Sequence, residues 1–243
     1  MSGKRLDAPG TPEAVWRTWA APATWPALAP AAAGRALVVS PHPDDETLAV
    51  GGTVHLLART GWQVDVVAVT DGEASHAPVR GRDAAALAAL RRAEQDGAVR
   101  HLGLEPARIR RLGIADARVD AHVDDLADTL VALLRPGDWL IAPWERDGHR
   151  DHDASGRAAL RAAATTGARL LRYPLWAWHW MTPRHPLLAT WRPLRCDLDA
   201  AARAAKRRAL DAYASQTSAI DGVVILPPDV LERHRRTWEV LLA

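Results

Sequence analysis

The stretch Ala36-Leu37-Val38-Val39-Ser40-Pro41-His42-Pro43-Asp44-Asp45-Glu46 decides the fold. Its first half is a short, β-branched apolar run ending at a proline, the pattern of a strand buried on both faces. Its second half is abruptly polar. Working outward, residues 47–60 read as a helix closed by Gly61, and Gln63 to Val69 as a second strand. Arg82 to Leu102 reads as a long helix stopped by Gly103, because glycine readily takes the left-handed conformation that ends helices. A strand at 108–112, a helix at 121–134, a strand at 139–142 and a helix at 153–165 continue the alternation. Strands alternating with helices of this length predict right-handed βαβ units. The expected fold is therefore α/β and Rossmann-like, a mostly parallel sheet with helices on both faces.

The length of 243 residues suits one such domain. Residues 1–33 are read as an N-terminal extension packed on it, with a short helix over 12–20 and a proline-bearing segment, 21–30, that wraps the surface. Residues 34–243 form the domain proper. The single cysteine, Cys196, excludes an intramolecular disulfide and a cysteine-based zinc cluster. Met1 to Gly10 lacks the apolar core of a secretory signal, and no apolar run reaches the length of a membrane-spanning helix. A cytoplasmic protein without a membrane span is expected. Lys and Arg number 31 against 29 Asp and Glu, so the net charge of +2 does not point to nucleic acid. Oligomeric state is not legible at this level.

In an open α/β sheet, ligands bind at the carboxyl ends of the strands. The first strand delivers His42, Asp44, Asp45 and Glu46 there, and the strand at 139–142 delivers Asp147-Gly148-His149-Arg150-Asp151-His152 to the same edge. If the two strands are near neighbours, the clusters meet. Nitrogen and carboxylate ligands without sulfur suit zinc, and three protein ligands leave a position for water. Two adjacent carboxylates allow one to bind metal while the other, desolvated and near like charge, acts as a general base.

His42-Pro43-Asp44-Asp45-Glu46 together with His149-Arg150-Asp151-His152 resembles the two hallmark motifs of the PIG-L/LmbE-like N-deacetylases. Thr70-Asp71-Gly72-Glu73, the helix through Arg91 and Glu94, and Lys206 with Tyr213-Ala214-Ser215-Gln216 extend the likeness over about 35–220. The resemblance implies an LmbE-like deacetylase domain that removes the acetyl group of an N-acetylated amino sugar or glycoconjugate. It further implies zinc, or another divalent transition metal, on His42, Asp45 and His152. Asp44 would be the general base. His149 would stabilise the oxyanion and protonate the leaving amine, oriented by Asp151, and Arg91 would contact the sugar. Where some relatives carry a tyrosine two residues before this histidine, the present chain has Asp147, so that role is vacant or filled from elsewhere.

Other readings compete at several positions. Zinc chemistry alone also suits an amidase on a non-sugar amide or a deacylase of longer chains, and a non-catalytic sugar-binding α/β domain is the remaining alternative. Asp44, Asp45 and Glu46 could cap a helix, Glu46 above all. Asp71 and Glu73 read as turn or cap residues. For Arg91, salt bridging competes evenly with substrate contact. With 11 Trp and no Phe, tryptophan carries nearly all the aromatic area. Read with strand alternation, Trp176, Trp178 and Trp180 share one face, as a substrate wall or as core, at least one of them in the core. His179, on the other face, could reach into the site.

Overall fold

The computed structural model describes residues 6, 9–75, 83–220, 222 and 224–243. The polar segment read at Met1 to Gly10 lies mostly outside these residues, as does the expected helix start at Arg82. The described elements run α1 (Glu13–Arg17), β1 (Arg35–Ser40), α2 (Asp45–Arg59), β2 (Gln63–Ala68), α3 (Ala84–His101), β3 (Ile109–Arg111), α4 (Val123–Leu133), β4 (Trp139–Pro143) and α5 (Arg150–Thr166). They continue through β5 (Arg169–Tyr173), α6 (Ala177–Trp180), β6 (Pro193–Asp197), α7 (Ala200–Asp211), α8 (Ala214–Thr217), α9 (Pro228–His234) and β7 (Trp238–Leu242).

The strands form one sheet in the order β3-β2-β1-β4-β5-β7-β6. β3 to β5 are parallel, and β7 joins antiparallel to both β5 and β6. Strand alternation separates two cores. Ala36, Val38, Val66, Ile141 and Leu171 face α2, α3 and α7, while Leu37, Val39, Val67, Leu140 and Ala142 face α4 and α5. Gly156 lets α5 approach the sheet, since a Cβ there would stand 2.7 Å from the backbone of Glu145 and from the carbonyl of Pro143. The α/β, Rossmann-like architecture is the one the pattern predicts.

The chain leaves β1 toward β2 on one side and returns to β4 on the other, so β1 and β4 are direct neighbours flanking a topological switch point. Among the described residues, no helix is long and apolar enough to cross a membrane.

Three local expectations need correction. The helices after β1 and β4 begin earlier than residues 47 and 153, at Asp45 and Arg150, which draws Asp45, Glu46, Asp151 and His152 into first helical turns. Acidic side chains are favourable there, close to unpaired backbone N–H groups. The early helix ends at Arg17 rather than residue 20, and Ala21–Thr24 forms a 3-10 turn before Ala27 bridges to Arg195. Finally, 176–180 is not a strand. Pro174 follows β5 with no N–H to offer, and the Asp147 carboxylate takes the N–H groups of Leu175, Trp176 and Ala177, turning the chain into α6. Trp176, Trp178 and Trp180 therefore do not share a face.

Candidate metal centre

β1 ends at Ser40, and its hydroxyl donates to the Glu46 carboxylate (2.6 Å). Glu46 is buried beneath the turn and also accepts from the Tyr213 hydroxyl (2.5 Å) and the Gln95 amide (3.2 Å). It braces the corner from below. At Asp44 the backbone takes φ 133°, a conformation L-residues seldom adopt and that costs roughly 1–3 kcal/mol. The strain sets Asp44 and Asp45 in different directions. Both line a cleft of about 320 Å³, Asp44 held by Arg91 and Asp45 turned toward two imidazoles.

Asp45 Oδ2 lies 3.1 Å from His42 Nδ1 and 3.1 Å from His152 Nε2. The expected trio is thus brought together across the β1–β4 boundary. His42, His149 and His152 offer ring nitrogens within 4.8 Å of one another, and so do ligand atoms of His42, Asp116 and Asp151. Both nitrogens of His152 are sealed from solvent without an aligned hydrogen bond, although Asp147 Oδ2 and Asp45 Oδ2 stand 2.9 and 3.1 Å away. A buried imidazole aimed at carboxylates in this way suits a cation between them, and the donor set of nitrogen and oxygen is one that divalent transition metals accept.

The electrostatics agree. Burial alone would lower the pKa of His42, but the carboxylates of Asp116, Asp151 and Asp45 hold it well above the ordinary imidazole range. Burial likewise opposes a positive His152, yet Asp45 and Asp147 raise it to about 9. The pocket draws positive charge to these two rings, whether a proton or the metal ion that replaces it. Asp44 is pushed up to about 8, chiefly by burial, with Arg91 pulling in the opposite direction. His149 falls to about 3 through burial and its neighbours His42 and His152.

His149 caps α5: its Nδ1 accepts the N–H of Asp151 at 3.3 Å. With Nδ1 an acceptor, the neutral ring carries its proton on Nε2 as a donor. The resemblance implies that Asp151 orients His149 and raises its pKa. The Asp151 carboxylate turns to His42 Nε2 (3.3 Å) and to the N–H groups of Ala117 and Val119, while its own backbone N–H meets His149. Its charge does act upward on His149, but burial and the two neighbouring imidazoles outweigh it.

Arg91 is buried and bonds Asp44 Oδ2 (3.0 Å), the Pro43 carbonyl (2.7 Å) and the Gly72 carbonyl (3.0 Å). Any Cβ at residue 72 would meet its guanidinium at 1.9 Å, so Gly72 is required for the approach. Of the two readings of Arg91, the ion pair is the one these contacts realise, although the side chain also lines the cleft. Asp71 pairs with Arg92, and Glu73 accepts the Asp116 N–H, both turn-supporting roles.

Two residues escaped the sequence reading. Asp147, where the resemblance leaves a role vacant or filled from elsewhere, is fully buried and ties His152 to the start of α6. Asp116 reaches His42 Nε2 at 3.3 Å from the segment after β3. Asp147 lies inside the second cluster and could have been found as a partner of a ligating histidine. Asp116 carries no local signal. Of the three tryptophans, Trp178 is in the core, Trp180 donates to the Asp147 carbonyl, and Trp176 lines the cleft, its ring 6.3 Å from that of His149. His179 is buried against Trp176 and does not line the cleft.

Comparisons with known proteins converge on this region. The family model described as PIG-L, GlcNAc-PI de-N-acetylase, matches residues 37–163. A probable N-acetyl-alpha-D-glucosaminyl L-malate deacetylase 2 of Bacillus cereus is 33% identical over 136 residues, covering 53% of this chain and 60% of that protein. A 1D-myo-inositol 2-acetamido-2-deoxy-alpha-D-glucopyranoside deacetylase of Rhodococcus erythropolis is 31% identical over 182 residues, covering 63% and 60% respectively. The matches thus span 60% of the length of these two curated relatives. The crystal structure of the A40926 pseudoaglycone deacetylase Dbv21 superposes with a TM-score of 0.65 at 26% identity, covering 86% of this chain and 96% of that one.

Proposed function

The chain belongs to the PIG-L family, described as GlcNAc-PI de-N-acetylase, and from that premise we propose that it is a zinc-dependent hydrolase of an N-acetylated amino sugar or glycoconjugate. The observation that carries the reading is the meeting of His42, Asp45 and His152 around one carboxylate oxygen, with Asp44 beside them facing the cleft. These three side chains would hold the ion. Zinc, when bound, supplies Lewis acidity to an amide carbonyl and makes water acidic enough to lose a proton near neutral pH.

The chain's own groups divide the remaining work. Asp44, whose proton affinity is raised by burial and trimmed by Arg91, takes the proton of the attacking water and returns it to the departing amine. Neutral His149 donates from Nε2 to the oxygen on which negative charge develops. Arg91 acts on Asp44 rather than as the main sugar contact. Trp176 offers the cleft an aromatic wall beside His149.

Leu48, Ile225 and Leu226 give the same cleft an apolar side that suits an acyl chain longer than acetyl. The names of the two curated relatives support acetyl on a glucosaminyl substrate. Metal analysis combined with an acid-release screen over N-acetyl- and longer N-acylglucosaminyl compounds tests both. Acetate release that tracks one bound zinc is expected. Release only of longer acids would replace the substrate reading, and a protein that cannot be loaded with metal would end the hydrolase reading.

A further inference from the structure

A cavity larger than this cleft lies elsewhere among the described residues. It measures about 520 Å³ and shares no lining residue with the metal cleft. One wall is α7, which presents Arg203 and Arg207 four residues apart and therefore on one helical face. The other wall is the turn from α9 into β7, with His234, Arg235 and Arg236. Leu198, Ala204 and Leu210 supply an apolar floor. Among the described residues, no acidic residue lines it.

The charge balance is what distinguishes this cavity from an ordinary helix face. Lys206 is neutralised by Glu239 at 2.7 Å, and Arg236 by Glu13 at 2.7 Å. Arg203, Arg207 and Arg235 make no side-chain hydrogen bond or ion pair among the described residues, whereas most arginines elsewhere in the molecule are paired. His234 is 6% exposed, lines the cavity and has no side-chain partner among the described residues. Burial, reinforced by Lys206, Arg236 and Arg233, holds it well below the usual imidazole range, so its neutral ring offers one donor and one acceptor into an electropositive recess. Guanidinium forks match the geometry of phosphate and carboxylate oxygens, and an apolar floor with a few converging polar groups is the usual build of a small-molecule site.

We propose that this cavity is a second ligand site, taking a small organic oxyanion whose phosphate or carboxylate group sits between Arg203, Arg207 and Arg235 and whose apolar body rests on Leu198 and Leu210. Phenyl phosphate and benzoate carry the two candidate groups on one apolar ring. Isothermal titration of each into the metal-loaded enzyme, its Asp44→Asn variant and an Arg203→Gln/Arg207→Gln double variant tests the assignment. The two arginines are exposed, so the double variant should fold, and circular dichroism checks that it does. Saturable binding of at least one probe is expected, unchanged in Asp44→Asn and weakened about tenfold or more in the double variant, as loss of charge-assisted bonds requires. The tighter probe identifies the group preferred. No saturable binding by either probe would overturn the proposal. So would binding that the double variant keeps, or that disappears when the metal is removed, because it would then belong to the catalytic cleft.

Discussion

The carboxyl edge of β1 and β4 and the far edge of the sheet around β6 and β7 are both densely buried, but they are held by opposite means. At the first, His42, Asp44, Asp45, Asp147, Asp151 and His152 are charged or titratable and lie at or close to full burial. At the second, Trp16, Trp19, Trp25, Trp144, Trp178, Trp191 and Trp238 meet edge to face or, for Trp25 and Trp191, tilted, with centroids 4.9–6.4 Å apart in the contacting pairs. Such pairs add to the area they bury. Arg236 lies 4.1 Å from the Trp178 ring and pairs with Glu13, and Arg195 lies 5.6 Å from the Trp238 ring, so the charges at this cluster serve packing. The difference teaches where the chain accepts unfavourable burial. It keeps costly charge and a strained Asp44 where chemistry needs them, and compensates with aromatic area at an edge that the parallel core does not cover.

Substitutions on the two sides should therefore separate activity from stability. Asp44→Asn removes the proposed base without changing shape, and turnover should fall by about 10²–10⁴-fold with metal content retained. Steady-state kinetics with metal analysis checks this; near-normal turnover would dissolve the contrast. Trp178→Ala should cost about 3–5 kcal/mol of stability while the folded enzyme keeps its kcat. Denaturant unfolding beside assays well below the midpoint decides, and a loss of kcat without loss of stability would show the Trp edge to be part of the site.

Asp147 touches both regions, since it contacts His152 and starts the helix that carries Trp178. Asp147→Asn should weaken metal binding by about 10–100-fold, read by chelator competition. A purely structural Asp147 would lower the unfolding midpoint and leave metal affinity alone. The smallest effect is a displacement along the pH axis. Arg91 favours the ionised form of Asp44, so Arg91→Gln raises that pKa further and leaves less carboxylate at a given pH. The acidic limb of kcat/KM should then move upward by roughly 1–3 pH units. A downward move would mean that Arg91 does not act through Asp44.

Much of this was legible in the chain. The run from Ala36 to Ser40, the helix stops at Gly61 and Gly103 and the βαβ rhythm determine the parallel half of the sheet, because strand and helix periods are local properties. The same stretch presents His42, Asp44 and Asp45, and the second cluster His149, Asp151 and His152, as a matter of spacing. Only the tertiary structure makes them one site, by pairing β1 directly with β4. It also decides what local sequence cannot carry: Asp116 arriving from beyond β3, the Asp151 carboxylate choosing His42, and the antiparallel β6 and β7 closing the far edge. Asp147 shows the reason most plainly. The family resemblance leaves the role at its position vacant or filled from elsewhere, but a buried carboxylate must find donors, and those at Leu175, Trp176 and Ala177 come within reach only once β5 lies beside β4.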